Sequence, residues 1–122
     1  MNHKGALAEE KVSVWLERQG WKTLARNYRH IGFELDIVSV QGKTLLVTEV
    51  KSRPSIHDEN DLRPGDYLTD RQISKIKKGI VHFLSEVLLD IDSIRMDLVV
   101  VMGMRQDKLA RYKNIRLNSL SD

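Results

Sequence analysis

A mixed α/β fold with the element order α-β-β-β-α-β is what this sequence predicts, and three observations carry the prediction. Apolar residues in the N-terminal stretch recur at helical spacing. Two alternating runs, Phe33 to Val40 and Lys43 to Val50, are separated only by Gln41-Gly42. A second amphipathic helix then leads into Leu98-Val99-Val100-Val101, a continuous apolar run of the kind found in strands buried on both faces. At 122 residues, with 41% hydrophobic and 30% charged side chains, the chain suits one globular domain over 1–122 rather than two domains or a disordered polymer.

Taken in order, Lys4 to Gln19 is the first helix, because Ala8, Val12, Trp15 and Leu16 fall on one side and Gly20 follows as a stop. Trp21 to Tyr28 reads as a short strand. The glycine in the two-residue link Gln41-Gly42 makes the next two strands a tight hairpin. Residues 52–68 hold both prolines, Pro54 and Pro64, among many charges, and a polar loop of this length reads as a flap or binding loop. Thr69 and Gln72 stand at capping-box spacing. Behind them the apolar stripe is Ile73, Ile76, Ile80, Phe83, Leu84, Val87 and Leu88. Ile94 to Met102 supplies the buried strand, and Tyr112 to Leu120 alternates weakly, as an edge strand or a frayed tail would.

Composition narrows the chemistry. The absence of cysteine excludes disulfides, thiolate metal sites and cysteine nucleophiles. No apolar run approaches the ~20 residues that span a bilayer, and no apolar signal core opens the chain, so a cytoplasmic protein without a membrane partner is expected. A net charge of +3 and an isoelectric point near 9.3 favour an anionic partner mildly. Their distribution is more informative: Glu34, Asp36 and Glu49 sit between basic clusters at Lys22-Arg26-Arg29, Lys51-Arg53 and Arg71-Lys75-Lys77-Lys78. No Ser-His-Asp signature or glycine-rich phosphate loop is present. His3, His30, His57 and His82 show no metal-ligand spacing, and none is assigned a ligand role.

The hairpin concentrates the reactive groups. With Gln41 and Gly42 as its loop, Val40 would pair with Lys43. Period-two alternation then puts Phe33, Leu35 and Ile37 on a core face with Leu46, Thr48 and Val50. Glu34 and Asp36 share the other face with Val47, Glu49 and Lys51, Glu34 directly across from Glu49 and Asp36 on the diagonal, about 7 Å away. Carboxylates gathered this way repel one another and raise each other's pKa values. A hard dication relieves that repulsion, and an all-oxygen set suits Mg²⁺ or Mn²⁺. The plainer alternative is a solvated sheet face on which Lys51 and Arg53 neutralise Glu49 and Glu34.

In full, the D-x12-E-V-K pattern of Asp36, Glu49, Val50 and Lys51, following an N-terminal helix, resembles the PD-(D/E)xK nuclease superfamily. More narrowly, the chain is similar to the YraN-type endonuclease-like family, itself distantly similar to Holliday junction resolvases. The matching residues run in order along the chain. They are Ala8-Glu9, Gly20-Trp21, Arg26-Asn27-Tyr28-Arg29, Gly32 to Val38, Val47 to Arg53 and Arg95-Met96-Asp97. Phe33, Thr48 and Gln72 depart from the family's usual glycine, phenylalanine and lysine. The resemblance implies a restriction endonuclease-like α-β-β-β-α-β core with a mixed central sheet flanked by helices. It makes Asp36 and Glu49 metal ligands, Glu34 an additional acid, Lys51 the catalytic lysine and Glu9 the helix-one acid.

The resulting expectation is a Mg²⁺- or Mn²⁺-dependent hydrolase of DNA phosphodiesters, selective for branched, flap or nicked structure. The alternative is a non-catalytic nucleic-acid-binding module that keeps the fold. DNA is expected over RNA, with Arg29, Arg53, Gln72 and Lys75 contacting the backbone, and the resolvase likeness allows a homodimer. Several candidates carry plainer readings. Glu9 can be a solvated helix acid, Gln72 only a cap, Lys75, Lys77 and Lys78 a solvated helix face, and Asp97 a partner for Arg95. Tyr28 could stack on a base or simply pack at the rim.

Overall fold

The computed structural model describes residues 3–53, 67–103 and 108–115. The elements are α1 His3–Arg18, β1 Lys22–His30, β2 Phe33–Gln41, β3 Thr44–Arg53, α2 Asp70–Glu86, β4 Ser93–Met102 and β5 Lys108–Tyr112. The five strands form one mixed sheet in the order β1-β2-β3-β4-β5. Only β3 and β4 run parallel, and that pairing requires a crossover, which α2 supplies. The arrangement is that of a restriction endonuclease-like α/β fold. Among the described residues, no helix is long and apolar enough to cross a membrane.

Each helix covers its own apolar cluster. α1 seals Ala8, Val12 and Leu16 over Trp21, Ile37, Leu46, Val99 and Val101. α2 seals Ile76, Ile80 and Phe83 over Leu35, Val38, Val47, Met96, Leu98 and Val100. α1 stops where Gly20, at φ 93°, lets the Trp21 amide reach the Leu16 carbonyl at 3.1 Å and the Gly20 amide reach Glu17 at 3.0 Å. That pair of bonds is a Schellman end, and it needs the left-handed conformation glycine adopts freely. α2 begins with the capping box expected from sequence: Thr69 Oγ1 accepts from the Gln72 amide and Gln72 Oε1 accepts from the Thr69 amide.

Several expectations are corrected. The hairpin turn is Gly42-Lys43, with Gln41 paired to Thr44 and Gly42 at φ 60°; every partner therefore moves by two residues. Leu35 and Ile37 do not share a face, for Leu35 belongs to the α2 cluster and Ile37 to the α1 cluster. The last strand among the described residues is Lys108–Tyr112; of the expected Tyr112 to Leu120 stretch, only Tyr112 is in a strand up to residue 115, and residues 116–120 lie outside the described residues. Leu88 is fully exposed, because α2 ends at Glu86, while Lys77, expected in solvent, is buried. The proposed flap lies mostly outside the described residues; within its range, Tyr67 and Leu68 are buried against the α2 cluster.

The face change within β2 has a local cause. Asn27, opposite Asp36, takes the left-handed conformation at φ 52°, which asparagine tolerates better than most residues. The β1–β2 register passes from Arg26↔Ile37 to Tyr28↔Leu35 with no pair between. The β2–β3 ladder stops at Ile37↔Thr48. Both irregularities fall at Asp36; from there β2 and β3 no longer pair, while β1 and β2 pair again to His30↔Phe33.

Candidate metal centre

Asp36 occupies the point of divergence. Its Oδ2 accepts the Val50 amide at 2.9 Å, so a side chain satisfies a donor that a neighbouring strand would otherwise take. Glu49, next to Val50 on β3, is buried, and its Oε1 has no hydrogen-bond partner. Burial pushes the Glu49 carboxyl well above the usual carboxylate range. The Asp36 charge and its hydrogen bond push the same way, and the Asp36 backbone amide and Lys51 oppose them. Register would have set Asp36 across from Glu49 rather than Glu34 across from Glu49, and the electrostatic coupling follows the observed register.

Glu9 reaches the same point from α1. Burial raises its pKa, the charges of Asp36 and Glu34 add to the rise, and Arg26 and an Asn27 hydrogen bond lower it. Its Oε1 also lacks a partner. Arg26 itself pairs with the adjacent Glu10. Glu34 lies at the rim, paired with Arg29 at 3.1 Å and largely solvated. The plainer alternative therefore holds for Glu34, though its partner is Arg29 and not Lys51 or Arg53. It fails for Glu49, which is buried; Glu9 is half-buried, with one oxygen shielded from solvent.

A cleft of about 530 Å³ opens over Glu34, Asp36 and Glu49 but not Glu9, lined also by Arg29 and Lys51 from the sheet and by Gln72 and Lys75 from α2. The close seat of α2 makes this lining. A Cβ added at Gly79 would come within 2.9 Å of the Leu35 and Phe33 side chains, so glycine lets the helix press onto β2. Phe33, where the resembling family has glycine, fills the space between α2 and Tyr28. No described residue forms an ion pair with Lys51. Gln72 is engaged as a cap while facing the cleft. Arg53 lies apart from that lining, its guanidinium 4.8 Å from the Tyr67 ring centroid.

The donor chemistry is of the kind a hard dication takes: two buried carboxylate oxygens without partners and a third carboxylate bonded to a backbone amide. Among the described residues, however, Glu9, Asp36 and Glu49 do not form a group whose oxygens all lie within 4.8 Å of one another. Charged carboxylates buried without a counter-ion are unfavourable, and a cation would restore the ionised forms of Glu49 and Glu9.

Two groups follow the plainer of the readings the sequence offered. Asp97 is a structural anion: Arg95 donates to it twice at 2.9 and 2.8 Å, Arg111 at 3.0 Å, and the Asn114 amide at 3.1 Å. Tyr28 is not free to stack on a base. Its ring meets Phe33 and Phe83, and its hydroxyl lies 2.6 Å from His82 Nδ1. The sequence reading also missed that His30, His82 and Glu86 come together. Its only trace there is the i,i+4 spacing of His82 and Glu86.

Comparison with known proteins agrees with this frame. The model of the uncharacterised protein family UPF0102 matches residues 8–101, a stretch that includes Glu9, Asp36, Glu49 and Lys51. A UPF0102 protein of Bifidobacterium longum subsp. infantis is 48% identical over 101 residues, covering 80% of this chain and 79% of its own. One from Beutenbergia cavernae is 31% identical over 112 residues and 92% of each chain. Another, from Christiangramia forsetii, is 31% identical over 101 residues, 83% of this chain and 82% of its own. The chain belongs to the UPF0102 family, the YraN-like, PD-(D/E)xK nuclease-like family that its motifs indicated.

Proposed function

We propose that this protein is a Mg²⁺- or Mn²⁺-dependent nuclease that hydrolyses DNA phosphodiester bonds and selects its substrate by structure rather than base sequence. The observation that supports this most is Glu49. It is a buried carboxylate with an unpartnered oxygen, coupled to Asp36 and placed two residues before a lysine in an open cleft. A structural acid in that position would have been given a donor, as Asp97 was.

Asp36 and Glu49 are the ligands in this reading, with Glu9 as the third acid and Glu34 at the rim. A dication held there would polarise the phosphodiester and lower the pKa of a bound water. Lys51 orients the attacking water or stabilises charge developing on the phosphoryl oxygens. Hydrolysis adds the water oxygen to phosphorus and breaks one P–O ester bond, giving a phosphomonoester and an alcohol. Asp36 is fixed for its role by the Val50 amide, which donates to its Oδ2 and holds that oxygen in place. Arg29 and Lys75 on the cleft rim hold the phosphate backbone. They carry no base-reading pattern, which is why structure-selective cutting of branched, flap or nicked DNA is preferred here.

The test is Mn²⁺-dependent cleavage of a panel of branched, nicked, single-stranded and duplex DNAs. Lys51→Ala should lower the rate by about 10²–10³-fold without loss of fold. Undiminished cleavage by that variant, or no cleavage of any substrate by the native chain, would sink the catalytic reading. Salt-sensitive DNA binding that survives Asp36→Asn without metal, in a chain that never cuts, would identify a binding module instead.

A further inference from the structure

The end of β1 and the C-terminal half of α2 gather a second group of donor atoms, chemically unlike the first. β1 ends at His30, and α2 presents His82 and Glu86 one turn apart. A donor atom from each lies within 4.8 Å of the other two. His82 Nδ1 stands 2.9 Å from Glu86 Oε1, and His30 Nε2 stands 3.5 Å from the same oxygen. The two imidazole rings are 4.0 Å apart at their centroids. All three side chains remain partly open to solvent.

A helix-surface His-Glu pair is ordinary; a second imidazole brought to it from a strand is not. Two ring nitrogens converge on one carboxylate oxygen, while the Tyr28 hydroxyl contacts His82 Nδ1 at 2.6 Å. That nitrogen has two oxygen neighbours but only one in-plane bonding position, so the protein alone satisfies one of them. A cation accepting lone pairs from both imidazoles and the carboxylate removes the conflict. We propose that His30, His82 and Glu86 form a site for a borderline divalent transition cation of the Zn²⁺ type, separate from the all-oxygen set at Asp36 and Glu49.

The donor set and the distances both support this. Two imidazoles and one carboxylate suit Zn²⁺ and leave a position for water, whereas Mg²⁺ prefers oxygen throughout. Zn–N and Zn–O bonds near 2 Å place tetrahedral ligand atoms about 3.3 Å apart. The separations of 2.9 and 3.5 Å fall on either side of that value. The Tyr28 hydroxyl, 2.6 Å from His82 Nδ1, is placed to serve as a fourth oxygen. Bound there, the ion ties the end of β1 to α2. His30, Gly32 and Phe33 line the wall of the cleft, so the tie immobilises the β1–β2 turn beside Glu34. The proposal does not depend on the nuclease reading.

The experiment is calorimetric titration with Zn²⁺, in excess Mg²⁺, of a tag-free chain carrying His3→Gln and His57→Gln. One Zn²⁺ per chain and a rise in melting temperature are expected. His30→Gln and His82→Gln should each weaken binding by at least about tenfold, and Asp36→Asn should leave it unchanged. No uptake, affinity unchanged from the native chain in either histidine variant, or loss of binding in Asp36→Asn would each overturn the assignment. Co²⁺ in the unsubstituted site gives a readout that needs no histidine variant. Intense visible bands of low coordination with nitrogen ligands support the site, and the weak bands of an all-oxygen octahedron refute it.

Discussion

Asp97 and Glu49 are both buried acids on the two central, parallel strands, yet they are treated in opposite ways. Burial alone would raise the Asp97 pKa. The Arg95 hydrogen bonds, the Asn114 amide, the Arg95 charge and the Arg111 bond outweigh that and hold it below the usual range. Glu49 has the Asp36 amide and the Lys51 charge against burial and a neighbouring acid, and its pKa moves up. One carboxylate ties β4 to β5 and the segment after it; the other keeps bonding capacity in reserve. Where a fold buries an acid for its own stability it supplies donors, and where it withholds them a ligand is the simplest account.

The contrast can be broken at either end. Asp97→Ala leaves two arginines without their shared anion and should cost about 3 kcal/mol in urea denaturation; a loss under about 1 kcal/mol would erase the distinction. Next in size, Mg²⁺ or Mn²⁺ at about 100 times its dissociation constant should stabilise the native chain by about 2.7 kcal/mol. Asp36→Asn should remove that gain, while leaving any Zn²⁺ effect in place.

Smaller still, Glu49→Gln should stabilise the metal-free protein by roughly 1 kcal/mol at pH 8. The sign follows from linkage. A raised folded pKa means the native state holds the proton more tightly, so stability falls as pH rises above the ordinary carboxylate value and through the folded one. Glu49→Gln should remove that fall, giving no gain at pH 4. Asp97 slopes the other way: its contribution is present above the unfolded pKa and is lost as pH drops through the depressed folded value. Urea midpoints across pH separate the two, and a Glu49→Gln variant less stable than the native chain at pH 8 would contradict the assignment. Smallest of all, Arg29→Ala breaks a solvated pair with Glu34 and should change stability by under about 0.5 kcal/mol. In the same variant the salt dependence of DNA binding should fall by about one phosphate contact, measured by fluorescence titration.

Much of the frame was legible in the residues themselves. Gly20 and the Thr69/Gln72 pair marked a helix end and a helix start because each solves a local bonding problem that needs those residue types. The acids of the hairpin were expected together, although the turn is Gly42-Lys43 and not Gln41-Gly42. A displacement of two residues preserves the parity of a strand, so Asp36 and Glu49 still converge, while the partner of Glu49 changes from Glu34 to Asp36. Period-two reading assumes an unbroken ladder, and so it missed that Asn27 and Asp36 interrupt theirs and part Leu35 from Ile37. The ties of Asp97 to Arg111 and of His30 to His82 are invisible for another reason. They join residues remote in sequence, and their identity carries no spacing signal.

The bond from the Val50 amide to Asp36 has a practical consequence. Backbone amides in a central strand normally exchange with solvent only when the sheet itself opens. This one is guarded by a carboxylate, so its exchange rate depends on how firmly the Asp36 side chain is held. A single amide resonance in the middle of β3 therefore serves as a built-in gauge of the site, readable by proton exchange without substrate, cleavage or an added label.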